Sequence, residues 1–153
     1  MYATFEFYVN SYYGDVLTED IADRWLDRAS DRIDKLTFDR LRTAYPTDER
    51  SSELIQKAVC AIAEALYLID FQKKAGAAQK TAAGEYRNPV ASISSGRETI
   101  SYAVGGGSTA YAAAAANEIE AQRYINSIAA EYLANVTDAN DVNLLYAGVD
   151  PRV

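Results

Sequence analysis

The residues of this chain that are able to do chemistry are few, because it contains no histidine. That absence removes the usual general base, the commonest zinc ligand and both the Ser-His and Cys-His nucleophile pairs. The single cysteine, Cys60, lies in an apolar helical stretch, and free cysteine is among the most buried residue types. We therefore expect an inert buried thiol, no disulfide framework, no cofactor and no enzymatic activity.

Three polar segments suggest a catalytic or binding site, but the spacing of their residues does not fit that site. Glu118 and Glu120 are two apart on a predicted helix, so they cannot share a face as paired acid and base. Residues 105–109 read Gly-Gly-Gly-Ser-Thr but lack the Gly-Lys ending of a phosphate-binding loop. Residues 138–141 hold two aspartates and an asparagine without the glycine and glutamate of a calcium loop. We expect a linker at 105–109 and a polar turn at 138–141.

Composition limits the partners of the chain. At 153 residues it is expected to form one domain, over 1–153, that buries roughly 70% of its unfolded surface. The net charge is −7, and the basic residues alternate with acidic ones along the sequence, which argues against tight nucleic-acid binding. No apolar run approaches the ~20 residues of a membrane span, and the start lacks the pattern of a signal peptide. We expect a protein of a reducing cytosol with no membrane partner.

Most of the chain has the apolar spacing of helices. A first segment, 4–11, fits a short helix or a strand, and Gly14 follows it. Thr18 is expected to cap a helix whose opposite face carries acids and bases at pairing distance along the helix. A longer helix is expected from a cap at Ser51 or Ser52 to about residue 80. The apolar stripe of the first of these helices is Ile21, Trp25, Ala29, Ile33 and Leu36.

A last helix is expected over 109–134 and a C-terminal tail over 137–153. The inward positions predicted for that helix are Ile119, Ile125, Ile128, Tyr132 and Leu133. The alanine run at its start suits close helix contact. The fold class that follows is all-α, a small bundle of three to four helices.

Between the helices, residues 90–104 change period from about 3.6 to 2, which indicates a protruding β-hairpin or extended loop. Ser95-Gly96 supplies the tight turn, and Ile100 and Val104 share a strand face. A lone two-stranded ribbon is marginal in water because its outer edges leave backbone groups unpaired. We therefore expect it to pair with another chain. The subunit-interface residues predicted here are Ile93, Gly96, Ile100, Tyr102 and Val104.

Tyrosine is the dominant aromatic residue, with 12 copies against 4 phenylalanines and 1 tryptophan. Tyrosine combines apolar area with a polar tip and is enriched at protein interfaces. Many of these rings are expected at the edge of the core, and the preferred interface candidates are Tyr102, Tyr111 and Tyr146.

Three segments together resemble one family. Residues 92–102, Ser-Ile-Ser-Ser-Gly-Arg-Glu-Thr-Ile-Ser-Tyr, resemble the Ser-rich, Gly-centred loop of tailed-phage head-tail connectors, also called adaptor or head-completion proteins. Residues 29–38 are similar to the first long helix of that family, and residues 144–149 to its C-terminal tail. The resemblance covers nearly the whole chain in order and length.

This resemblance implies a structural virion protein at the head-tail interface, assembled in the host bacterial cytoplasm. Its subunits would form a ring, commonly a dodecamer, beneath the portal protein, and would receive a stopper or tail-completion protein. DNA would pass through the ring without specific binding. The portal-docking residues that it implies are Leu144, Leu145, Tyr146 and Val149.

Two other functions stay open on the residues alone. A cytosolic helical binding module or regulator would use the hairpin to extend the sheet of a partner protein. A small helical enzyme fits least, because no nucleophile, base or metal set is visible.

Overall fold

The computed structural model describes residues 1–77, 92–95, 98–101 and 110–147. This part of the chain is mostly helical, as the sequence predicts. Its helices are α1 (Phe5–Asn10), α2 (Glu19–Leu36), α3 (Arg40–Thr43), α4 (Glu49–Ala77), α5 (Ala110–Ala116) and α6 (Glu118–Leu133). The first segment is thus a helix rather than a strand. No helix among the described residues is long and apolar enough to cross a membrane.

Helix α2 follows the amphipathic pattern of its sequence. Trp25, Ala29 and Ile33 are buried, while Ile21 and Leu36 pack against the core at its margin. Thr18 holds the N-cap position with extended backbone, but its hydroxyl bonds to the Asp20 carboxylate instead of a backbone N–H. The buried face, more than the cap, therefore sets where this helix packs.

The predicted cap of the long helix is wrong. Helix α4 begins at Glu49, and the carboxylate of Asp48 accepts a hydrogen bond from the Ser51 backbone N–H at 2.7 Å. Hydrogen bonds from the Ser51 side chain, and then from its backbone N–H, hold the pKa of Asp48 below its ordinary value. Aspartate and serine are equally good caps, so the sequence alone did not separate them. The predicted end near residue 80 lies outside the described residues.

The last predicted helix is interrupted. Helix α5 ends at Ala116, and the side chain of Asn117 accepts the Ile119 N–H at 2.9 Å to cap α6. Ile119, predicted to face inward, is 62% exposed, whereas Ile125 and Leu133 are buried as expected. The buried positions of α6 are four residues apart, at Ala121, Ile125, Ala129 and Leu133, and Ile119 lies outside this row, so its prediction as a core residue was wrong.

Two short strands lie between α4 and α5. Strand β1 (Ser92–Ser95) pairs antiparallel with β2 (Glu98–Ser101), and Ile93 is opposite Ile100. Gly96, Tyr102 and Val104 lie outside the described residues. The protruding hairpin over 90–104 therefore stays a prediction.

The chain divides into two compact units, one of residues 1–67 and 122–153 and one of residues 68–121. In the first unit the largest fully buried side chains include Tyr8, Leu26, Ile33, Ile55 and Leu144. They come from α1, α2, α4 and the segment after α6, so both ends of the chain contribute to one core. In the second unit Ile69, Ala114 and Ala121 are buried. That the chain acts as a single domain stays a prediction.

Candidate functional site

The segment after α6 is folded onto the core through Leu144. Its backbone N–H donates to the Val136 carbonyl at 3.0 Å, and Thr137 forms an isolated bridge with Asn143. Between them, the Asp138 carboxylate accepts the N–H groups of Asn140 at 2.8 Å and Val142 at 3.0 Å. The predicted polar turn at 138–141 is therefore confirmed as a turn that is capped by its own aspartate.

The docking residues implied by the family resemblance have different environments. Leu144 is fully buried, so its side chain belongs to the core and cannot contact a partner in this fold. Leu145 is half-buried against the same core, whereas Tyr146 is 47% exposed. Val149 lies outside the described residues. Of the described docking residues, Tyr146 is the one that is available for a partner.

Arg40 fixes the exposed end of this segment. Its Nη1 donates to the backbone carbonyls of Asn143 at 3.0 Å, Leu144 at 3.4 Å and Tyr146 at 2.5 Å. The Arg40 guanidinium carbon also lies 5.6 Å from the centre of the Phe38 ring. One cation thus holds the position of Tyr146 and contacts a second aromatic side chain.

Phe38 is exposed and conformationally strained. It is 54% exposed, and its φ of 55° places a bulky residue in the left-handed region. Asp39 follows with a φ of 59°. Each such residue costs about 1–3 kcal/mol and persists only when its surroundings impose it. Here the Asp39 N–H donates to the Asp34 carbonyl at 2.8 Å, which closes the end of α2.

We call Phe38, Arg40 and Tyr146 the tail patch. Two exposed aromatic rings and one arginine are the side-chain types that carry the most energy at protein interfaces. Sequence reasoning identified Tyr146 but singled out neither Phe38 nor Arg40. The available signal was a phenylalanine placed directly before Asp-Arg, after the last apolar position of α2.

A second cluster of polar side chains forms around Glu64. The Tyr8 hydroxyl donates to Glu64 Oε1 at 2.7 Å and accepts the N–H groups of Val16 at 2.9 Å and Leu17 at 3.0 Å. The Tyr12 hydroxyl donates to Glu64 Oε2 at 3.3 Å. Burial raises the pKa of Glu64 above its ordinary value, although both tyrosine hydrogen bonds act in the opposite direction.

The residues around this cluster show that it stabilises the packing of the N-terminal segment. The rings of Phe5, Tyr8 and Tyr12 stack in series at 6.1 and 5.8 Å between centres. A Cβ on Gly14 would lie 2.1 Å from the Tyr8 ring, so a side chain there collides with a fully buried aromatic. Both carboxylate oxygens are occupied by tyrosine donors, and we assign the cluster to folding rather than to acid-base chemistry.

Cys60 lies on the same helix as Glu64. It is fully buried, and burial raises the pKa of its thiol to about 12. The thiol is therefore protonated near neutral pH and is a poor nucleophile, as the sequence predicts.

The remaining candidates are placed only in part. Ile93 is paired with Ile100 in the register of the two strands, and Tyr111 is half-buried on α5. Among the described residues, no three metal-binding side chains converge. Comparisons with protein-family models, with curated proteins and with solved structures returned no match.

Proposed function

We propose that this protein is a head-tail connector subunit of a tailed phage. In this function it forms a homo-oligomeric ring beneath the portal protein, receives a stopper or tail-completion protein and extends the DNA channel. Its location would be the head-tail interface of the virion. The sequence resemblance motivates this proposal, and the mostly helical described part of the chain supports it.

The observation that carries the proposal is the tail patch. The resemblance implies a portal contact at the C-terminal end of the chain, where Tyr146 is exposed and its backbone carbonyl accepts a hydrogen bond from Arg40, which also contacts the Phe38 ring. Phe38 is 54% exposed and its ring lies against Arg40, and aromatic and arginine side chains are enriched at protein interfaces. We propose that the tail patch, rather than Leu144, contacts the portal.

The ring contact is assigned to residues 90–104. The two described strands pair with each other, and within the described residues no further strand covers their outer edges. We propose that an adjacent copy completes this ribbon through Ile93, Gly96, Ile100, Tyr102 and Val104. Such head-to-tail contacts close into a ring when the rotation between copies allows it.

The net charge of −7 suits a channel wall. A negative protein surface repels the DNA phosphates, so the duplex passes without being held.

The ring contact is tested by Ile100→Glu combined with Tyr102→Glu. The helical circular-dichroism signal should be nearly unchanged, while sedimentation velocity should show monomer where the wild type forms large complexes with the portal of the same phage. A lost helical signal would assign these residues to the fold of the subunit instead. A wild-type protein that stays monomeric with and without portal would contradict the connector function itself.

The portal contact is tested by Phe38→Asn combined with Tyr146→Ser. Asparagine tolerates the left-handed backbone, so the turn should be kept or stabilised while the ring is removed. We expect at least tenfold weaker portal binding by surface plasmon resonance, with no loss of urea stability.

The matched control for this test is Tyr13→Asn. Tyr13 is 82% exposed and also has a left-handed φ, of 60°, so it repeats the same chemical change elsewhere. Equal portal affinity of the two variants would contradict the tail-patch assignment.

A further inference from the structure

Helix α2 carries a face of positive charge without ion-pair partners. Its members are Arg24, Arg28, Arg32 and Lys35, which fall within a sector of about 80° around the helix axis. Among the described residues, no carboxylate lies within ion-pairing distance of any of these four. The expected ion pairs between residues three and four apart on this helix face are therefore absent among the described residues.

Two acids of α2 have partners elsewhere, whereas Asp31 stays beside these cations without an ion pair among the described residues. Asp27 lies 3.9 Å from the N-terminal ammonium of Met1, and Asp34 pairs with Arg42 and accepts the Tyr2 hydroxyl. A chain of net charge −7 therefore presents a concentrated positive surface at one place.

An open groove of about 370 Å³ lies beside this face. Trp25 and Leu66 give it apolar lining, and Arg28, Arg32 and Lys35 surround them together with Asp31. The guanidinium carbon of Arg28 lies 4.9 Å from the centre of the Trp25 ring, and that of Arg24 lies 5.0 Å from it. We call this feature the α2 groove. Its chemistry suits an apolar side chain that is accompanied by carboxylates.

Trp25 adds an independent sign that this site is incomplete. Its indole Nε1 is buried and has no hydrogen-bond partner among the described residues. Buried polar groups in native structures are nearly always paired, so an unpaired donor at a groove calls for an explanation. An acceptor brought by a binding partner would provide one.

We propose that the α2 groove binds the start of α6 from a second copy of this chain. There Ile119 is 62% exposed and directly follows the exposed Glu118, with Glu120 next along the helix. This gives an apolar side chain with carboxylates, which matches the apolar lining and the positive rim of the groove. The inference rests on the proposed ring and names a second contact between its subunits, separate from the hairpin.

Such a contact is head-to-tail, because the groove of one copy takes the α6 start of the next. Each copy uses both surfaces once, as a ring requires. Because Arg28 and Lys35 of the rim are exposed, the contact is expected to weaken as salt is raised.

The test uses two charge-reversed variants of the full chain. The groove variant carries Arg28→Glu and Arg32→Glu, and the α6 variant carries Glu118→Arg and Glu120→Arg. Each variant alone repels its own kind, so we expect self-association at least tenfold weaker than wild type by sedimentation velocity. An equimolar mixture should associate again, because each altered surface then meets an oppositely charged one.

A matched control carries Arg50→Glu and Lys73→Glu. It changes the net charge by the same amount at exposed positions outside the groove and should associate as wild type does. Since Trp25 is the single tryptophan, its fluorescence reports the groove directly. The emission should change when wild type associates, and when the two variants are mixed.

The outcomes separate this inference from the proposed function. A groove variant that associates like wild type, or a mixture that fails to recover, would overturn the contact and leave a hairpin-based ring in place. Wild type that neither associates nor binds portal would overturn both. Binding of polyanions or of another acidic protein to monomeric wild type, lost in the groove variant, would show a different occupant and overturn the assignment to a second copy.

Discussion

The cluster around Glu64 and the α2 groove both combine aromatic rings with charged groups, yet they differ in how their polar atoms are satisfied. At the cluster, the Tyr8 hydroxyl makes hydrogen bonds to Glu64, Val16 and Leu17, so its bonding capacity is used within the chain. At the groove, Trp25 Nε1 has no partner and the surrounding cations have no ion pairs among the described residues.

This difference separates residues that hold the fold from residues that are free to bind. A buried polar group whose hydrogen-bond partners all lie in its own chain stabilises one conformation. It has no donor or acceptor left for a second molecule. An exposed cation without a partner contributes little to folding but can attract an opposite charge from outside. The tail shows the same division over a few residues, because Leu144 is buried and Tyr146 is exposed.

The largest effect on stability is expected at Leu144, the buried residue of the tail. Leu144→Ala should lower the free energy of unfolding by about 2–5 kcal/mol, because it leaves a cavity in the core. Tyr146→Ala is the control and should change stability by less than about 0.5 kcal/mol. Urea unfolding followed by circular dichroism measures both. If Leu144→Ala were as mild as Tyr146→Ala, the tail would not be part of the core.

Tyr8→Phe should have the next largest effect, about 2–4 kcal/mol of lost stability. The ring is kept, but the buried N–H of Leu17 loses its acceptor and Glu64 loses a donor. The matched removal of a hydroxyl is Tyr13→Phe, at an exposed ring, which should leave stability unchanged within about 0.5 kcal/mol. At the α2 groove, Arg28→Gln should likewise leave the stability unchanged within about 0.5 kcal/mol. A strongly destabilised Arg28→Gln would mean that the α2 groove serves the fold.

Glu64→Gln should give the smallest effect, which is a pH-dependent difference in the free energy of unfolding from wild type. Since the pKa of Glu64 is raised on folding, the folded state holds its proton more tightly than the unfolded state. Wild-type stability relative to Glu64→Gln should therefore fall as pH rises above the ordinary carboxyl value of 4.5, and level off above the raised native pKa. Urea midpoints of both proteins between pH 4 and 8 measure this difference. A difference that grows with pH would contradict a burial-dominated carboxyl.

Much of the helical framework followed from sequence pattern. The spacing of Trp25, Ala29 and Ile33 identified the buried face of α2, and the apolar surroundings of Cys60 predicted its burial. These inferences succeeded because helical periodicity and apolar burial are local properties. The break at Asn117 was missed because alanine is the strongest helix former, so the alanine run before it predicts an uninterrupted helix.

The functional residues were harder to predict. Leu144 and Tyr146 stand two positions apart in one apolar-looking segment, and nothing in their types says that one is buried and the other exposed. Phe38 was missed because its position after the last apolar residue of α2 does not reveal that its backbone is left-handed and its ring exposed. The groove was missed because Leu66 and Trp25 are distant in sequence and meet only when α2 packs beside α4.

The sequence by itself determined that this chain is mainly helical, acidic, without histidine and with an unreactive cysteine, since composition and periodicity act residue by residue. Only the tertiary structure decided which charges find partners. Asp27 pairs with the Met1 ammonium and Asp34 with Arg42 and Tyr2, while Arg28 and Arg32 make no ion pair among the described residues. Pairing depends on distances between segments far apart in the chain, which spacing along one helix does not encode.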